Sequence, residues 1–553
     1  MTPGIPADPS SPRGASPPAR PPARPPAPGN RRAGVTVPLS SLRGERSWGI
    51  GEIGDLPAFG AWVARAGLRL VQLLPLAESA GFDASPYFAL SAFGIDPVYV
   101  SIAAIPDLPQ GAAQVAVAGD LDRLERARRG AAVDHGAVRE LKGRALRAAF
   151  ARFARVELAA DTHRAAALRR FVDLHSAWLP DYALFRAIKD ARAGAAWDRW
   201  PEALRDRDPA ALAEAGRAHR DGVLFHEYAQ WIAHAQWESA RSELRALGVE
   251  LMGDLPFMVS RDSADVWAHP DQFHPGRSVG VPPIHLDEEG QDWGFPAYRW
   301  DRMRADGFAW LRRRARYAGS LYDRFRIDHL VGFYRTYFRP HDGSAPAFTP
   351  DDQESQTHLG ERVLAALREA GTEIVAEDLG TVPDFVRESL SRLGIPGYKV
   401  LRWERYWSLE GQPFMDPLDY PPVAVATSGT HDTEPMVVWW ERAPRAEREA
   451  VLAIPSVCAR LPPEDRARAL DDPGLADTVR EALLDVLFAS GAGLLIVPIQ
   501  DLFGWRDRIN QPATVSAANW TWRLPWPCDR LSTEGAAIAV ADQLKEWSTR
   551  YGR

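Results

Sequence analysis

Three carboxylate-bearing motifs stand out in this chain because each of them follows a short apolar run. They are Arg326-Ile327-Asp328-His329, Glu377-Asp378-Leu379-Gly380 and Thr430-His431-Asp432, and about fifty residues separate each motif from the next. Two carboxyl groups beside an acetal can break it, because one protonates the leaving oxygen and the other meets the cationic anomeric carbon. The motifs therefore indicate chemistry on a glycosidic bond.

The neighbours of the three acids suggest a role for each. We expect Asp328 to be the nucleophile, because Arg326 precedes it by two residues, points to the same side and holds the carboxylate ionised. We expect Glu377 to be the acid/base, its pKa raised by partial burial and negative neighbours. Asp432 would bind sugar hydroxyls and favour ring distortion. Two histidines can donate to hydroxyls beside the reacting carbon: His329 and His431.

An acid at the end of a strand also has a purely structural explanation, since it often caps a helix or forms a turn. We give this structural role to Asp378, which points to the opposite side of its strand from Glu377, and to Asp501. The coincidence of three motifs on three separate strand ends favours chemistry for the others.

Alternating strand-like and helical patterns predict a parallel sheet that would bring these motifs to one edge. About seven strand candidates are visible, one short of a closed barrel, and the second strand is the least clear, with only an extended piece expected at 97–102. The clearer runs lie at 68–75, 249–255, 322–328, 373–378, 397–403, 423–428 and 493–500. An open doubly wound sheet is the rival, but no glycine-rich phosphate loop follows the first strand. We therefore predict an α/β fold, a (β/α)8 TIM barrel with helical insertions.

Changes of composition divide the chain into four segments. Residues 1–34 are rich in Pro, Ala and Arg and predict a disordered tail, and residues 35–117 begin the catalytic barrel. Residues 118–247 have helical spacing and predict a mainly helical insertion subdomain. Residues 248–553 complete the barrel, with loop insertions.

The bulk composition excludes several classes of partner. The 66 Lys and Arg against 73 Asp and Glu give a net charge of −7, so we expect no nucleic acid. No apolar run reaches the length of a membrane span, so we expect no membrane partner. Only two cysteines, Cys458 and Cys528, argue against a disulfide framework or a cysteine metal site and fit a cytoplasmic location. Most of the 20 Trp residues should lie in the core, although some can stack on sugar rings.

The ordered set of motifs resembles the 4-α-glucanotransferases, also called amylomaltases or disproportionating enzymes, a barrel family allied to the α-amylases. The resemblance runs from about Ser47 to Leu524. Besides the three acidic motifs, it rests on Ser47-Trp48-Gly49-Ile50-Gly51, Ser85-Pro86-Tyr87, Gly253-Asp254-Leu255-Pro256, Gly280-Val281-Pro282-Pro283, Gly290-Gln291-Asp292-Trp293-Gly294, Tyr298-Arg299-Trp300, Gln500-Asp501-Leu502-Phe503-Gly504 and Asn519-Trp520-Thr521-Trp522-Arg523.

The resemblance implies a glycosyltransferase of the transglycosylase type that needs no cofactor and no metal. It would cut an α-1,4-glucan or maltooligosaccharide, hold part of it as a covalent ester, and pass it to the 4-hydroxyl of another glucan or of glucose. By motif position, Asp328 looks like the nucleophile, Glu377 like the acid/base and Asp432 like the transition-state stabiliser.

The resemblance also implies substrate contacts around these acids. Tyr87 falls where an aromatic ring stacks on the sugar at the cleavage site, and Arg326 and His431 fall where the family contacts that sugar. Asp254 lies on the motif that shapes the donor side, and Trp293 lies in the loop that covers the acceptor side.

The chain departs from the family pattern at four places, one of which is the loop from Leu76 to Phe82. The tract 284–289 lacks the usual aromatic residue, which bears on acceptor preference and product size. Leu330 stands where Phe is customary, and Thr433-Glu434-Pro435 replaces the commoner Asn-Asp-Thr behind Asp432. None of these changes removes a catalytic carboxylate.

Three alternative functions remain open at this point. A hydrolase would use the same acids and hand the glucan to water, and a non-catalytic glucan-binding protein would use only the barrel. A metal-dependent barrel hydrolase is disfavoured, since Arg326 would place a cation beside the ion. Its candidate ligands would be Asp254, Asp328, His329, Glu377, His431 and Asp432.

Overall fold

A closed barrel of short strands forms the centre of the molecule. The computed structural model describes residues 31–79, 85–108, 117–283, 290–512, 514 and 516–553. Its strands are β1 (Arg32–Thr36), β2 (Leu70–Gln72), β3 (Glu250–Leu255), β4 (Phe273–Val281), β5 (Gln291–Tyr298), β6 (Arg324–Ile327), β7 (Thr336–Pro340), β8 (Ala347–Thr349), β9 (Glu373–Ala376), β10 (Gly397–Val400), β11 (Ala424–Thr427) and β12 (Leu494–Pro498). Among the described residues, eight strands close the ring in the order β1-β12-β11-β10-β9-β6-β3-β2, and all their pairings are parallel.

Helices surround this barrel. They are α1 (Leu56–Arg65), α2 (Leu121–Arg129), α3 (His135–Phe153), α4 (His163–Leu174), α5 (Leu179–Ala191), α6 (Glu202–Arg205), α7 (Pro209–Ala218), α8 (Arg220–Ala246), α9 (Ala264–Ala268), α10 (Trp300–Ala305), α11 (Ala309–Leu321), α12 (Gln353–Arg368), α13 (Asp384–Leu393), α14 (Met436–Arg442), α15 (Arg445–Leu452), α16 (Pro455–Cys458), α17 (Pro463–Asp471), α18 (Asp477–Ala489), α19 (Ile499–Phe503) and α20 (Gly535–Tyr551). Strands joined in this way by helices confirm the predicted (β/α)8 barrel with helical insertions.

The barrel strands are short and apolar because both of their faces are buried. Side chains that point inward form one packed cluster: Leu70, Met252, Val375, Tyr398, Val400, Val425, Leu494 and Ile496. The outward side chains belong to a larger core that also includes the surrounding helices. The barrel is therefore filled, and ligands can reach only its ends.

Two predictions about the elements are wrong in detail. Residues 32–34, which we assigned to the tail, already belong to β1, the barrel strand missing from the sequence count; residues 1–30 of the predicted tail lie outside the described residues. The piece at 97–102 is not a strand, since Pro97–Tyr99 is a 3-10 turn. Asp96 caps that turn by accepting a hydrogen bond from the Val98 amide, 3.0 Å away.

The helices α2–α8 occupy residues 121–246, between β2 and β3. We propose that residues 118–247 form one helical subdomain between two parts of the barrel.

Two insertions form a second, antiparallel sheet with the strand order β5-β4-β7-β8. The first insertion, β4–β5, follows β3, and the second, β7–β8, follows β6. No helix in the part of the chain that the structure describes is long and apolar enough to cross a membrane.

Two helical glycines should respond oppositely to substitution by alanine. A Cβ on Gly360 in α12 would lie 2.3 Å from the Tyr334 ring, whereas a Cβ on Gly143 in α3 would meet no atom within 4 Å. We expect Gly360→Ala to lower the free energy of unfolding by about 1–3 kcal/mol through overpacking. Gly143→Ala should raise it by about 0.5–1 kcal/mol, because alanine loses less backbone entropy in a helix. Thermal unfolding of both variants checks this, and a stabilised Gly360→Ala would contradict the packing.

Candidate active site

The first two acids lie side by side at the carboxyl end of neighbouring barrel strands. Asp328 directly follows β6 and Glu377 directly follows β9, whose last residues, Ile327 and Ala376, are paired in register. The ladder continues past them, because the Glu377 amide donates to the Ile327 carbonyl at 3.0 Å. Neighbouring strands are about 4.8 Å apart, so equivalent positions carry their side chains to the same place at the rim.

Arg326 is the cation on which this rim is organised. Its Nη1 donates to both carboxylate oxygens of Asp254, at 2.8 and 2.7 Å, and its Nη2 lies 2.8 Å from Asp328 Oδ1. The side chain of Arg326 is 4% exposed and that of Asp254 is 0% exposed. Asp254 lies opposite Arg326 in the pairing of β3 with β6. The guanidinium therefore orients the Asp328 carboxylate through a charge-assisted contact.

Glu377 has the electrostatics of an acid that is protonated near neutral pH. Burial raises its pKa to about 7, with a further increase from Asp328 and an opposing effect from Arg326. Its carboxylate accepts hydrogen bonds from the Leu379 amide at 2.8 Å and from the His329 amide at 2.7 Å. The direction of the shift is the one predicted from the sequence.

His329 contacts the site differently from the sequence prediction, which concerned only its ring. Its backbone has φ 44°, in the left-handed region, and its amide points at Glu377. Its ring packs edge to face against Trp293 at 4.8 Å and against Phe257 at 5.8 Å between centroids. Burial lowers the pKa of His329 to about 4, so the ring is neutral at physiological pH. The amide contact could not be read from residue type.

Asp432 comes to the same rim from a loop that follows β11. Its Oδ2 lies 3.2 Å from His431 Nε2, and its Oδ1 accepts a 2.6 Å hydrogen bond from Asn510 Nδ2. Burial opposes ionisation of Asp432, but His431 and Asn510 outweigh it and hold its pKa below the usual range. The sequence did not identify Asn510, which lies on a loop after α19 and carries no strand-end signal.

Tyr87 connects the two halves of the rim. Its hydroxyl donates to Asp254 Oδ2 at 2.9 Å and lies 2.9 Å from His431 Nε2. Its ring stacks on the His431 ring with centroids 5.6 Å apart and an angle of 16° between the planes. A continuous polar chain therefore joins the first acid to the third, in the order Asp328, Arg326, Asp254, Tyr87, His431 and Asp432.

Trp293 on β5 brings the antiparallel sheet to this rim through its contact with His329. Its indole Nε1 donates to Gln291 Oε1 at 3.1 Å, and the ring is only partly buried. All nine residues predicted for the site thus belong to one connected group. The tract 284–289, where the chain departs from the family pattern, lies outside the described residues.

The two acids that we interpreted as structural have structural contacts. Asp378 accepts a hydrogen bond from the Tyr398 amide at 2.7 Å. Asp501 accepts from the Ser428 hydroxyl at 2.5 Å and from the Met436 amide at 2.6 Å. Within the described ranges, no group of three or more His, Cys, Asp or Glu is placed so that it could hold a metal ion.

Comparisons with known proteins point to one enzyme family. A family model described as 4-alpha-glucanotransferase matches residues 37–529. The 4-alpha-glucanotransferase of Thermus thermophilus is 34% identical, over 93% of this chain and 99% of its own length. That of Synechocystis sp. is 32% identical, over 89% of this chain and 94% of its own length. The amylomaltase of Streptococcus agalactiae, solved in complex with acarbose, has a TM-score of 0.78 at 26% identity and covers 95% of this chain and 99% of its own.

Removing the central cation should destabilise the fold. Arg326→Met would leave the buried Asp254 carboxylate without its counter-ion, and we expect a loss of about 3–5 kcal/mol in the free energy of unfolding. Adding Asp254→Asn should recover part of this loss, because an amide carries no charge. Arg392→Met is the control, since Arg392 is exposed and its pairing with Glu361 is worth about 0–1 kcal/mol. If thermal unfolding shows that Arg326→Met loses no more stability than Arg392→Met, Arg326 is not the counter-ion that stabilises the buried Asp254 carboxylate.

Proposed function

The chain belongs to the 4-alpha-glucanotransferase family, and we propose that Asp328, Glu377 and Asp432 carry out its transfer reaction. The enzyme moves a segment of an α-1,4-glucan to an acceptor. The observation that carries the assignment of residues is the in-register pairing of β6 with β9, which sets an arginine-bound carboxylate beside one with a pKa of about 7. A nucleophile and an acid on adjacent strands are what a retaining mechanism requires.

In the first step, Glu377 gives its proton to the glycosidic oxygen while Asp328 attacks the anomeric carbon. The bond from that carbon to the leaving oxygen breaks, and a glycosyl ester of Asp328 forms with inverted configuration. In the second step, the 4-hydroxyl of the acceptor attacks the ester, Glu377 takes up the hydroxyl proton, and Asp328 leaves as a carboxylate. Two inversions give net retention, and every proton and electron pair comes from these side chains and the substrates.

The remaining residues act on the sugar at the cleavage site. Asp432 is ionised and fixed by His431 and Asn510, so it can bind hydroxyls and stabilise positive charge that develops on the ring. Tyr87 presents an aromatic ring beside these acids, and Arg326 orients the Asp328 carboxylate before attack. Trp293 would cover the acceptor side, where a second sugar would enter, and its ring contacts that of His329.

We propose maltooligosaccharides as donors and glucose or another glucan as acceptors, in the cytoplasm. The acarbose complex of the Streptococcus agalactiae amylomaltase supports an oligosaccharide ligand for this fold. Cys458 and Cys528 are both free in the structure, which suits a reducing compartment. Hydrolysis uses the same intermediate, and the partition between water and acceptor depends on how well the loops exclude water.

Asp328→Asn tests the nucleophile. We expect the wild type to convert maltotriose into glucose and longer oligomers, and the variant to lose about three orders of magnitude or more in rate, because an amide cannot form the ester. Chromatography of the products measures the rate, and circular dichroism shows whether the variant is folded. Near-native activity of Asp328→Asn would refute the assignment. Glucose and maltose as the only wild-type products would establish a hydrolase.

The pKa of Glu377 predicts the pH dependence of the reaction. The reaction needs protonated Glu377, and this form is lost as the pH rises through about 7. We therefore expect kcat/KM for maltotriose to fall by about tenfold per pH unit on the alkaline side of that value. The Glu377→Gln enzyme should be slow at every pH, and its kcat/KM should not show this fall on the alkaline side. A wild-type profile that stays flat to high pH would contradict the assignment of the acid.

A further inference from the structure

The loop that carries Tyr87 is held together at its base. Its described arms are residues 73–79 and 85–96, on either side of a segment outside the described residues. The Asp96 amide donates to the Leu76 carbonyl at 2.8 Å, and the Leu90 amide donates to the Glu78 carbonyl at 2.6 Å. Only one residue of these arms, Tyr87, hydrogen-bonds to Asp254 and approaches His431. The orientation of this ring therefore depends on what fixes the two arms.

The first arm is fixed by a buried glutamate. Glu78 is 5% exposed, and its Oε2 accepts a 2.6 Å hydrogen bond from the hydroxyl of Tyr182 on α5. Its Oε1 lies 3.1 Å from Nη2 of Arg186, one turn further along the same helix. A buried carboxylate with both oxygens engaged has one favoured position.

The second arm is fixed by a buried aspartate. Asp96 accepts two hydrogen bonds from Arg139 on α3, Nη1 to Oδ1 at 3.1 Å and Nη2 to Oδ2 at 2.9 Å. Nη2 of the same guanidinium also donates to the Ser79 hydroxyl at 3.2 Å. Arg139 thus connects both arms of the loop to one helix.

A third contact comes from α8. Gln230 is fully buried, its Oε1 accepts from the Ile95 amide at 3.0 Å, and its Nε2 donates to the Ile95 carbonyl at 2.8 Å. Its Nε2 also lies 3.1 Å from the Tyr182 hydroxyl, so it joins the Glu78 contact to the Ile95 contact. Three helices of the segment 118–247, α3, α5 and α8, therefore hold the two arms in place through one connected polar network.

We propose that Tyr182, Arg139 and Gln230 are positioning residues for glucan transfer, because they fix the loop that places Tyr87 against Asp254 and His431. The proposal rests on the function proposed above for Tyr87. Apolar replacements of a buried ion pair are often at least as stable as the pair, so stability alone does not account for this network. Its polar bonds specify one position for each arm, and a displacement of about 1 Å at a reacting centre can cost about 100-fold in rate. The helical insertion thereby has a part in the chemistry of the rim.

A matched pair of tyrosines separates this role from general stability. Tyr182→Phe removes the hydroxyl that binds Glu78. Tyr228→Phe removes an equally buried hydroxyl of the same helical segment, which donates to Asp107 Oδ2 at 2.7 Å, a residue outside the two arms of the Tyr87 loop. Each carboxylate keeps an arginine, Arg186 for Glu78 and Arg164 for Asp107. Tyr182→Phe should lose somewhat more thermal stability, because Gln230 Nε2 also loses a partner, so kcat is compared at a temperature at which both variants are fully folded.

We expect Tyr182→Phe to lower kcat for maltotriose by about tenfold in fully folded enzyme at saturating substrate, as a loosened site predicts. Tyr228→Phe should stay within about twofold of the wild type, the size of effect expected of a change away from the site. Equal loss of kcat in both variants would overturn the proposal, because it would show a general effect of the helical segment. So would an unchanged kcat in Tyr182→Phe.

Introducing Tyr182→Phe into a Tyr87→Ala enzyme tests whether the loss of kcat depends on Tyr87. If it does, Tyr182→Phe lowers kcat in the wild type and leaves it unchanged in Tyr87→Ala, since coupled residues are non-additive. If Tyr182→Phe lowers kcat in the Tyr87→Ala enzyme by the same factor as in the wild type, the proposal is overturned. Tyr87→Ala with wild-type activity would instead refute the function proposed for Tyr87, a result separate from the comparison of Tyr182 with Tyr228.

Discussion

One buried guanidinium organises the rim of this barrel. Burying a cation costs free energy unless carboxylates neutralise its charge and accept its hydrogen bonds. Arg326 satisfies this condition, because its Nη1 binds Asp254 and its Nη2 binds Asp328. It contacts Asp328 directly and acts on Glu377 only through space, where burial raises the pKa to about 7. Two neighbouring carboxyl groups thereby have different surroundings, one bound to a guanidinium and the other buried with a raised pKa, as a nucleophile and an acid require.

The fold supplies the positions that this electrostatic arrangement needs. Parallel pairing of β3, β6 and β9 in register sets Asp254 opposite Arg326 and Asp328 beside Glu377. The other partners come from loops, Tyr87 after β2 and Asp432 after β11, and they meet through His431. The strands thus determine the spacing of Asp328 and Glu377. The loops, held in place by helices, supply the side chains that contact the sugar around these two acids.

Much of this could be read from the sequence because the signals are local. An apolar run that ends in an acid identifies both a strand and its rim residue, which is how Asp328 and Glu377 were found. β1 was missed because its first residues directly follow the Pro/Ala/Arg-rich tail and were assigned to it. Contacts such as Asn510 with Asp432 join residues 78 positions apart, and nothing in the local pattern encodes them. The same holds for the His329 amide, whose direction is set by a backbone torsion and not by residue type.

The most direct measurement is to trap the intermediate in the Glu377→Gln enzyme. A maltotriosyl α-fluoride blocked at its terminal 4-hydroxyl can donate its sugar but cannot accept one, and fluoride leaves without help from an acid. Peptide mass spectrometry should then find one maltotriosyl group attached as an ester to Asp328. Attachment to a different carboxylate, or fluoride release with no labelled enzyme and an inverted product, would contradict the double displacement on which the assignment of the rim rests.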